Sequence, residues 1–196
     1  MNAPEPPLAV ILLGPESSGN HVCCSVLSAI TINGRGILGS DLAGLLDHHP
    51  KTHDQELFNN VWLGLQPLQE VAQGRPFVTS RSIPCGCHWP AIQAFHEQAL
   101  LHGYDARVVV IIRELHITAL SAGRRGMVGP AAAWQRLDEL LGNLPVVWFS
   151  YEGLTQIGWP YLRRWIHALH PNATLEPGVL ARVADANSKY LPTATS

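Results

Sequence analysis

A continuous apolar run, Leu8–Leu13, ends on Gly14-Pro15-Glu16-Ser17-Ser18-Gly19-Asn20-His21 and gives way to apolar residues at helical spacing, Val22, Val26, Leu27 and Ile30. No other feature restricts the fold as much. An uninterrupted apolar run of this length suits a strand buried on both faces, the environment of a parallel sheet. A glycine-bounded loop between such a strand and a helix turns backbone N–H groups and the positive helix end toward one point. The expectation is a cradle for an anion, with Ser17, Ser18 and Asn20 adding side-chain donors and Gly19 and His21 completing the loop.

The rest of the chain repeats the strand–helix alternation. Pro76–Ser80, Arg107–Ile112 and Pro145–Phe149 have strand patterns. Val22–Ile32, Val61–Gln73 apart from Pro67, Pro90–His102, Leu115–Gly123, Ala131–Leu141, Gly153–His170 with Pro160 interrupting, and Pro177–Asn187 have helical ones. Asn33-Gly34-Arg35-Gly36 is expected to stop the first helix. Alternation of this kind predicts parallel pairing, hence an α/β fold: a three-layer α/β/α sandwich with a central, mainly parallel sheet. At 196 residues the chain is expected to be a single domain, residues 1–196, with a Pro-rich lead-in at 1–7. The polar, His-rich stretch 37–60 has no assignable element.

The first loop begins like a Walker A phosphate loop, G-x-x-x-x-G-K-[ST]. Asn20 stands where that pattern has its lysine, and His21 where it has the Ser or Thr that holds magnesium. The Val108–Ile112 run ends in Arg113-Glu114 rather than in the Asp that a Walker B strand would carry. The chain is therefore P-loop NTPase-like in outline and departs from an ATPase or kinase at the metal and triphosphate positions.

Arg113 closes a strand, and Ser121 follows eight residues later on the next helix. A guanidinium at a strand end grips phosphate in a bidentate way, and a hydroxyl on the adjoining helix adds a donor. With the first loop, they place two anion-binding groups at the carboxyl ends of parallel strands, where open α/β sheets bind ligands.

In this ordered set the sequence resembles the family of sulfotransferases that use 3′-phosphoadenosine 5′-phosphosulfate (PAPS). Gly14–His21 resembles the family's loop for the 5′-phosphosulfate. Arg113 and Ser121 match the spacing of its clasp for the 3′-phosphate, and Tyr151-Glu152-Gly153-Leu154 looks like its Tyr-Glu-Asp-Leu segment. The resemblance runs from about residue 8 to 155. It implies a P-loop-like fold, PAPS as co-substrate without a metal, and sulfuryl transfer to a hydroxyl or amine on a small-molecule or glycan acceptor. It also implies that Ser17, Ser18, Gly19, Asn20 and His21 hold the 5′ end of the nucleotide, and Arg113 and Ser121 the 3′-phosphate. Asp41, after the first helix and the Gly36–Ser40 turn, is the candidate general base. Ser82 stands where cytosolic members carry a catalytic His, so that base is absent, and Arg81 is the candidate cation to supply the positive charge the first loop lacks. Arg124, Arg125, Arg182 and Lys189 are further candidates for cofactor-closing charge. Two alternatives stand beside this reading: a non-catalytic nucleotide-binding or interaction protein with a degenerate loop, and a divergent P-loop kinase.

Other features set limits. Formal net charge is −2, so no global basic field points to nucleic acid. The longest apolar runs fall well short of the ~20 residues a bilayer span needs. The N-terminal residues lack the basic start of a secretory signal, and Cys23, Cys24, Cys85 and Cys87 are expected to be reduced, which together predict a cytoplasmic protein. His49 and His53 flank Pro50, and Cys85-Gly86-Cys87-His88 has no second pair to complete a zinc site, so no metal is expected. Trp89 is a candidate wall for an acceptor or adenine pocket. The chain is short for the family, so the resemblance implies an acceptor lid that is minimal or supplied by residues 37–60, the candidate acceptor-side loop, with a neighbouring copy in a homo-oligomer as a further candidate to complete the site.

Overall fold

The computed structural model describes residues 5–15, 18–38, 54–84, 89–124, 126, 129–175 and 177–182. Four parallel strands form the central sheet: β1 (Leu8–Pro15), β4 (Phe77–Ile83), β5 (Asp105–Ile112) and β6 (Val146–Ser150), in the order β4-β1-β5-β6. These are the four strands that the apolar runs predict. All eight residues of β1 are buried, because helices cover both faces of the sheet.

The alternation of side chains along β1 separates two cores. Val10 and Leu12 face one layer with Val26 and Leu27 of α1 (Asn20–Ser28) and Leu162, Trp165 and Ile166 of α7 (Trp159–Leu169). Ala9, Ile11 and Leu13 face the other, with Phe58 and Trp62 of α2 (Asp54–Trp62), Leu68 of α3 (Leu68–Ala72), Phe95 of α4 (Ile92–Leu101) and Leu137 of α6 (Pro130–Leu141). Helix α5 (Leu115–Gly123) follows β5. The result is the expected three-layer sandwich. Each fully buried Leu or Ile of β1 contributes about 1.5–3 kcal/mol through lost apolar exposure.

Three expectations need correcting. The first helix ends at Ser28 rather than Ile32. Ile30–Ile32 is strand β2, and the Asn33-Gly34 pair, with φ of 51° and 75°, turns the chain back into β3 (Arg35–Gly36). Two consecutive left-handed residues match the twist of a two-residue hairpin, so Asn-Gly here builds a hairpin rather than merely stopping a helix. This hairpin pairs antiparallel with β7 (Ala173–Leu175), giving a second sheet of order β3-β2-β7. Residues 63–67 separate α2 from α3, with Pro67 at the cap of α3, and Pro160 lies in the first turn of α7 rather than interrupting it, where a missing N–H costs no helical bond. Before α7, Gly153–Ile157 form a π-helical turn, and Pro177–Arg182 form a 3₁₀ turn. Within the 37–60 stretch, Leu38 bridges to Phe77 on the free side of β4, and Asp54 onward is α2.

Candidate functional site

The strand order places the site. From β1 the chain passes to β4 on one side, then returns beyond β1 to β5 and on to β6. The connections leave β1 and β5 in opposite directions, so their carboxyl ends border the crevice where doubly wound sheets bind ligands. Gly14 and Pro15 end β1 there, and Arg113 follows β5 directly.

The first turn is held together by its own polar side chains. Ser18 and Asn20 are buried at 1% and 4% exposure. The Ser18 hydroxyl donates to Asn20 Oδ1 at 3.0 Å, and Asn20 Nδ2 donates to the Gly14 carbonyl at 3.3 Å and to Ser82 Oγ on β4 at 3.1 Å. The Ser18 N–H donates to the Pro15 carbonyl at 3.0 Å. These side-chain bonds run within the loop and to β4. A Cβ on Gly14 would overlap Ser18 Oγ and lie 2.8 Å from Asn20 Oδ1, so only glycine permits this closure. At the Walker lysine position the chain thus carries a short amide that ties β1 to β4. The first turn of α1 starts from Gly19 at φ 98°, which gives no side-chain cap. The first N–H groups of a helix have no partner within it, and this turn has no side-chain cap to take one up.

A ring that the sequence patterns assigned to no role joins this turn to Arg113. Tyr151, one residue beyond β6, is fully buried. A Cβ on Gly19 would overlap its Cδ2 and lie 2.8 Å from Cε2, so ring and glycine backbone are in direct contact. The Arg113 guanidinium carbon lies 4.5 Å from the ring centroid. The first loop and Arg113 therefore approach one and the same aromatic ring. Glu152 supports the arrangement: its Oε1 accepts the Glu114 N–H at 3.0 Å. Gly153 packs against the Tyr161 ring, whose hydroxyl accepts the Ser150 N–H at 2.6 Å. Residues 150–153 thus tie the ends of β5 and β6 to the start of α1. An aromatic residue straight after a strand was the available signal, but the Gly19–Tyr151 contact is tertiary and has no sequence spacing to reveal it.

Cys23 lies under the same corner, fully buried. Burial pushes its thiol well above the ordinary range, the Arg113 charge partly opposes this, and Glu152 adds to it. Cys24, its neighbour on α1, is buried as well.

The remaining candidates are distributed as follows. Ser121 is buried on the face of α5 shared with Ile117, Thr118 and Ala122. Arg81 is buried on β4, its Nη2 donating to Asn59 Oδ1 at 2.9 Å and its guanidinium 5.6 Å from the Trp62 ring. Since Arg81 pairs with Leu13 and Ser82 with Gly14, β4 sends Arg81 into the α2 layer and Ser82 toward the α1 turn. Trp89 is partly exposed, with the Arg136 guanidinium 5.9 Å from its ring. Ser17 and Asp41 lie outside the described residues, as do His48, His49, His53, Cys85, Cys87, His88, Arg125 and Lys189, and the side chain of His21 is not described. Among the described residues no group of three or more His, Cys, Asp or Glu side chains could hold a metal ion, and no helix is long and apolar enough to cross a membrane.

The fold is that of an α/β protein with P-loop-like topology, whose β1 and β5 lie side by side where the strand order reverses. No protein-family model matches the chain, and a search of curated proteins finds no match. Among solved structures, the chain is similar to the sulfotransferase domain from the curacin biosynthetic pathway, with a TM-score of 0.54 at 13% identity over 93% of this chain and 80% of that one. At that identity the likeness establishes the fold. Two further structures align with lower scores. One is the sulfotransferase domain from the Synechococcus PCC 7002 olefin synthase, at 0.44 and 14% identity over 98% and 86% of the two chains. The other is a gluconokinase from Sinorhizobium meliloti 1021, at 0.40 and 16% over 86% and 97%.

Proposed function

We propose that this protein transfers a sulfuryl group from PAPS to a hydroxyl or amine acceptor. The observation that carries the reading is that the α1 turn and the Arg113 guanidinium both approach Tyr151, at the switch point of the sheet. A nucleotide with anionic groups at its 5′ and 3′ positions suits two separate positive sites. The residues present fit such a co-substrate: an uncapped helix start at Gly19 and a half-buried arginine at a strand end.

PAPS supplies the sulfuryl group. The acceptor oxygen or nitrogen bonds to sulfur as the bond from sulfur to the 5′-phosphate oxygen breaks, releasing adenosine 3′,5′-bisphosphate. The chain's part is to align these groups and to stabilise charge. The α1 turn holds the 5′ end, with Ser17 and His21 in the same loop, while Ser18, Gly19 and Asn20 keep the loop in shape. Arg113 and Ser121 hold the 3′-phosphate. Asp41 is the proposed base for the acceptor proton. Arg81 is the proposed positive charge, held by Asn59 and Trp62. Titration calorimetry with adenosine 3′,5′-bisphosphate tests the reading. Wild type binds it, and Arg113→Ala weakens binding about 10- to 100-fold, the worth of charge-assisted hydrogen bonds. Equal affinity in the variant, or tighter magnesium-dependent binding of ATP, overturns it.

A second reading is a nucleotide-binding protein without catalysis. It is favoured by the loop: Ser17 stands near the position of the family's loop Lys or Arg, and Asn20, at the Walker lysine position, is bonded to Gly14 and Ser82. Transfer of labelled sulfur from PAPS to a phenol, an amine or a sugar, abolished by Asp41→Ala, selects the first reading. Bisphosphate binding without transfer selects the second.

A further inference from the structure

The second sheet has an open edge. In the order β3-β2-β7, β7 pairs with β2 on one side, and among the described residues no strand pairs with it on the other. A cavity of about 180 Å³ lies beside it, lined by Ala173, Thr174 and Leu175. Successive residues of a strand point to opposite faces, so a cavity on one face would meet Ala173 and Leu175 but not Thr174. This one meets all three and no residue of β2, so it runs along the edge that β2 leaves open. Its other wall is Trp159, Arg163, Ile166 and His167, which recur along α7 as one face of a helix. Ile166 and Ala173 are buried and form an apolar floor, while Arg163 and His167 are exposed at the mouth. Helix α7 holds no Asp or Glu, and among the described residues no acidic side chain pairs with Arg163 or His167.

We propose that this groove binds the C-terminal end of a partner protein. The partner chain lies extended along β7, its last side chain, an apolar one, fills the cavity, and its terminal carboxylate meets Arg163. Three observations carry this. An open strand edge takes an extended chain through its backbone N–H and C=O groups. The cavity is well below the ~300–1,000 Å³ of sites for whole small molecules, so it has room for one side chain. The apolar floor and the cation share that one cavity, so the apolar group and the anion that complement them come from a single residue. A C-terminal residue with an apolar side chain carries both. An anionic lipid surface is the poorer occupant, because it calls for apolar groups that project from the protein, and here they are recessed. The proposal is independent of nucleotide binding at the end of β1.

The test is an NMR titration of the full chain with the peptide acetyl-Thr-Val-Thr-Val-Leu as its free acid, the same peptide as its C-terminal amide, and a free acid ending in Ala. The free acid is expected to shift the backbone amides of Thr174 and Leu175. It should bind about three- to fivefold more tightly than the amide, the scale of an exposed ion pair. Arg163→Gln, a change at an exposed position, is expected to erase that difference and leave the affinity of the amide as it was. The peptide ending in Ala should bind about tenfold more weakly or worse, since it leaves the apolar floor uncovered. Failure of the free acid to bind, shifts confined to other parts of the chain, or equal affinity for acid and amide each overturn the proposal. N-acetyl-leucine binding as tightly as the peptide overturns it too, because the strand edge then contributes nothing. So does self-association, or binding to phosphatidylserine vesicles, that is lost in Arg163→Gln while the peptide does not bind, which gives the groove to a second copy or to a membrane. None of these results bears on the bisphosphate titration, so the two readings fail separately.

Discussion

Gly19→Ala tests the contact on which the site depends. Two costs act at that position. Gly19 has φ of 98°, which an L-residue with a Cβ adopts only under strain of about 1–2 kcal/mol. The added methyl would also overlap Cδ2 of Tyr151 and lie 2.8 Å from Cε2, against a ring that is fully buried. Forcing a methyl into a packed site costs about 1–3 kcal/mol. The sum is about 2–5 kcal/mol, a large part of the stability of a domain this size. For 150–250 residues it corresponds to a fall in Tm of about 4–20 °C. Urea and thermal unfolding followed by circular dichroism measure it. Gly34→Ala is the control: φ there is 75°, but nothing lies within 4 Å of an added Cβ. It carries the backbone cost without the overlap. The excess of Gly19→Ala over Gly34→Ala is the Tyr151 contact, and adding Tyr151→Leu to Gly19→Ala should return part of it. If Gly19→Ala costs no more than Gly34→Ala, the turn does not rest on Tyr151 and the account of the site fails.

Two more outcomes follow from the same corner. Asn20→Asp removes the donor to the Gly14 carbonyl and Ser82 and buries a carboxyl group, a loss of about 1–3 kcal/mol at pH 7. Burial raises that carboxyl's pKa, so the folded state binds its proton more readily and the deficit should shrink as pH falls toward 4; a deficit independent of pH contradicts this. Burial also raises the Cys23 thiol pKa. Above about pH 9 the unfolded thiol releases its proton while the folded one keeps it, so stability falls with rising pH, by up to ~1.4 kcal/mol per unit. Urea titrations between pH 8 and 10 should show a shallower decline in Cys23→Ala, and equal slopes would refute the effect. Tyr104 and Tyr161, whose pKa values burial also raises, act in the same direction only nearer pH 10 and above.

Much of the architecture was legible because it rests on local patterns. Leu8–Leu13 and Val108–Ile112 read as doubly buried strands, since a strand covered on both faces needs no polar alternation. The small sheet was not legible in the same way. Ile30–Ile32 continues the apolar content of α1 without a break, and only pairing with the distant Ala173–Leu175 makes it a strand. The Asn33-Gly34 turn was in plain view, but its flanking strands of three and two residues are too short to show a period.

By itself the amino-acid order determined the strand–loop–helix unit, the layered α/β class and the presence of an arginine at the end of the third central strand. Those properties depend on which residues are adjacent or periodic along the chain. Tertiary structure alone decided that β1 and β5 lie side by side at the reversal of strand order, that Asn20 turns back to Ser82, and that Tyr151 meets both Gly19 and Arg113. Such contacts join residues far apart in the chain, and they form only when the two core layers pack and leave each side chain a single place to go.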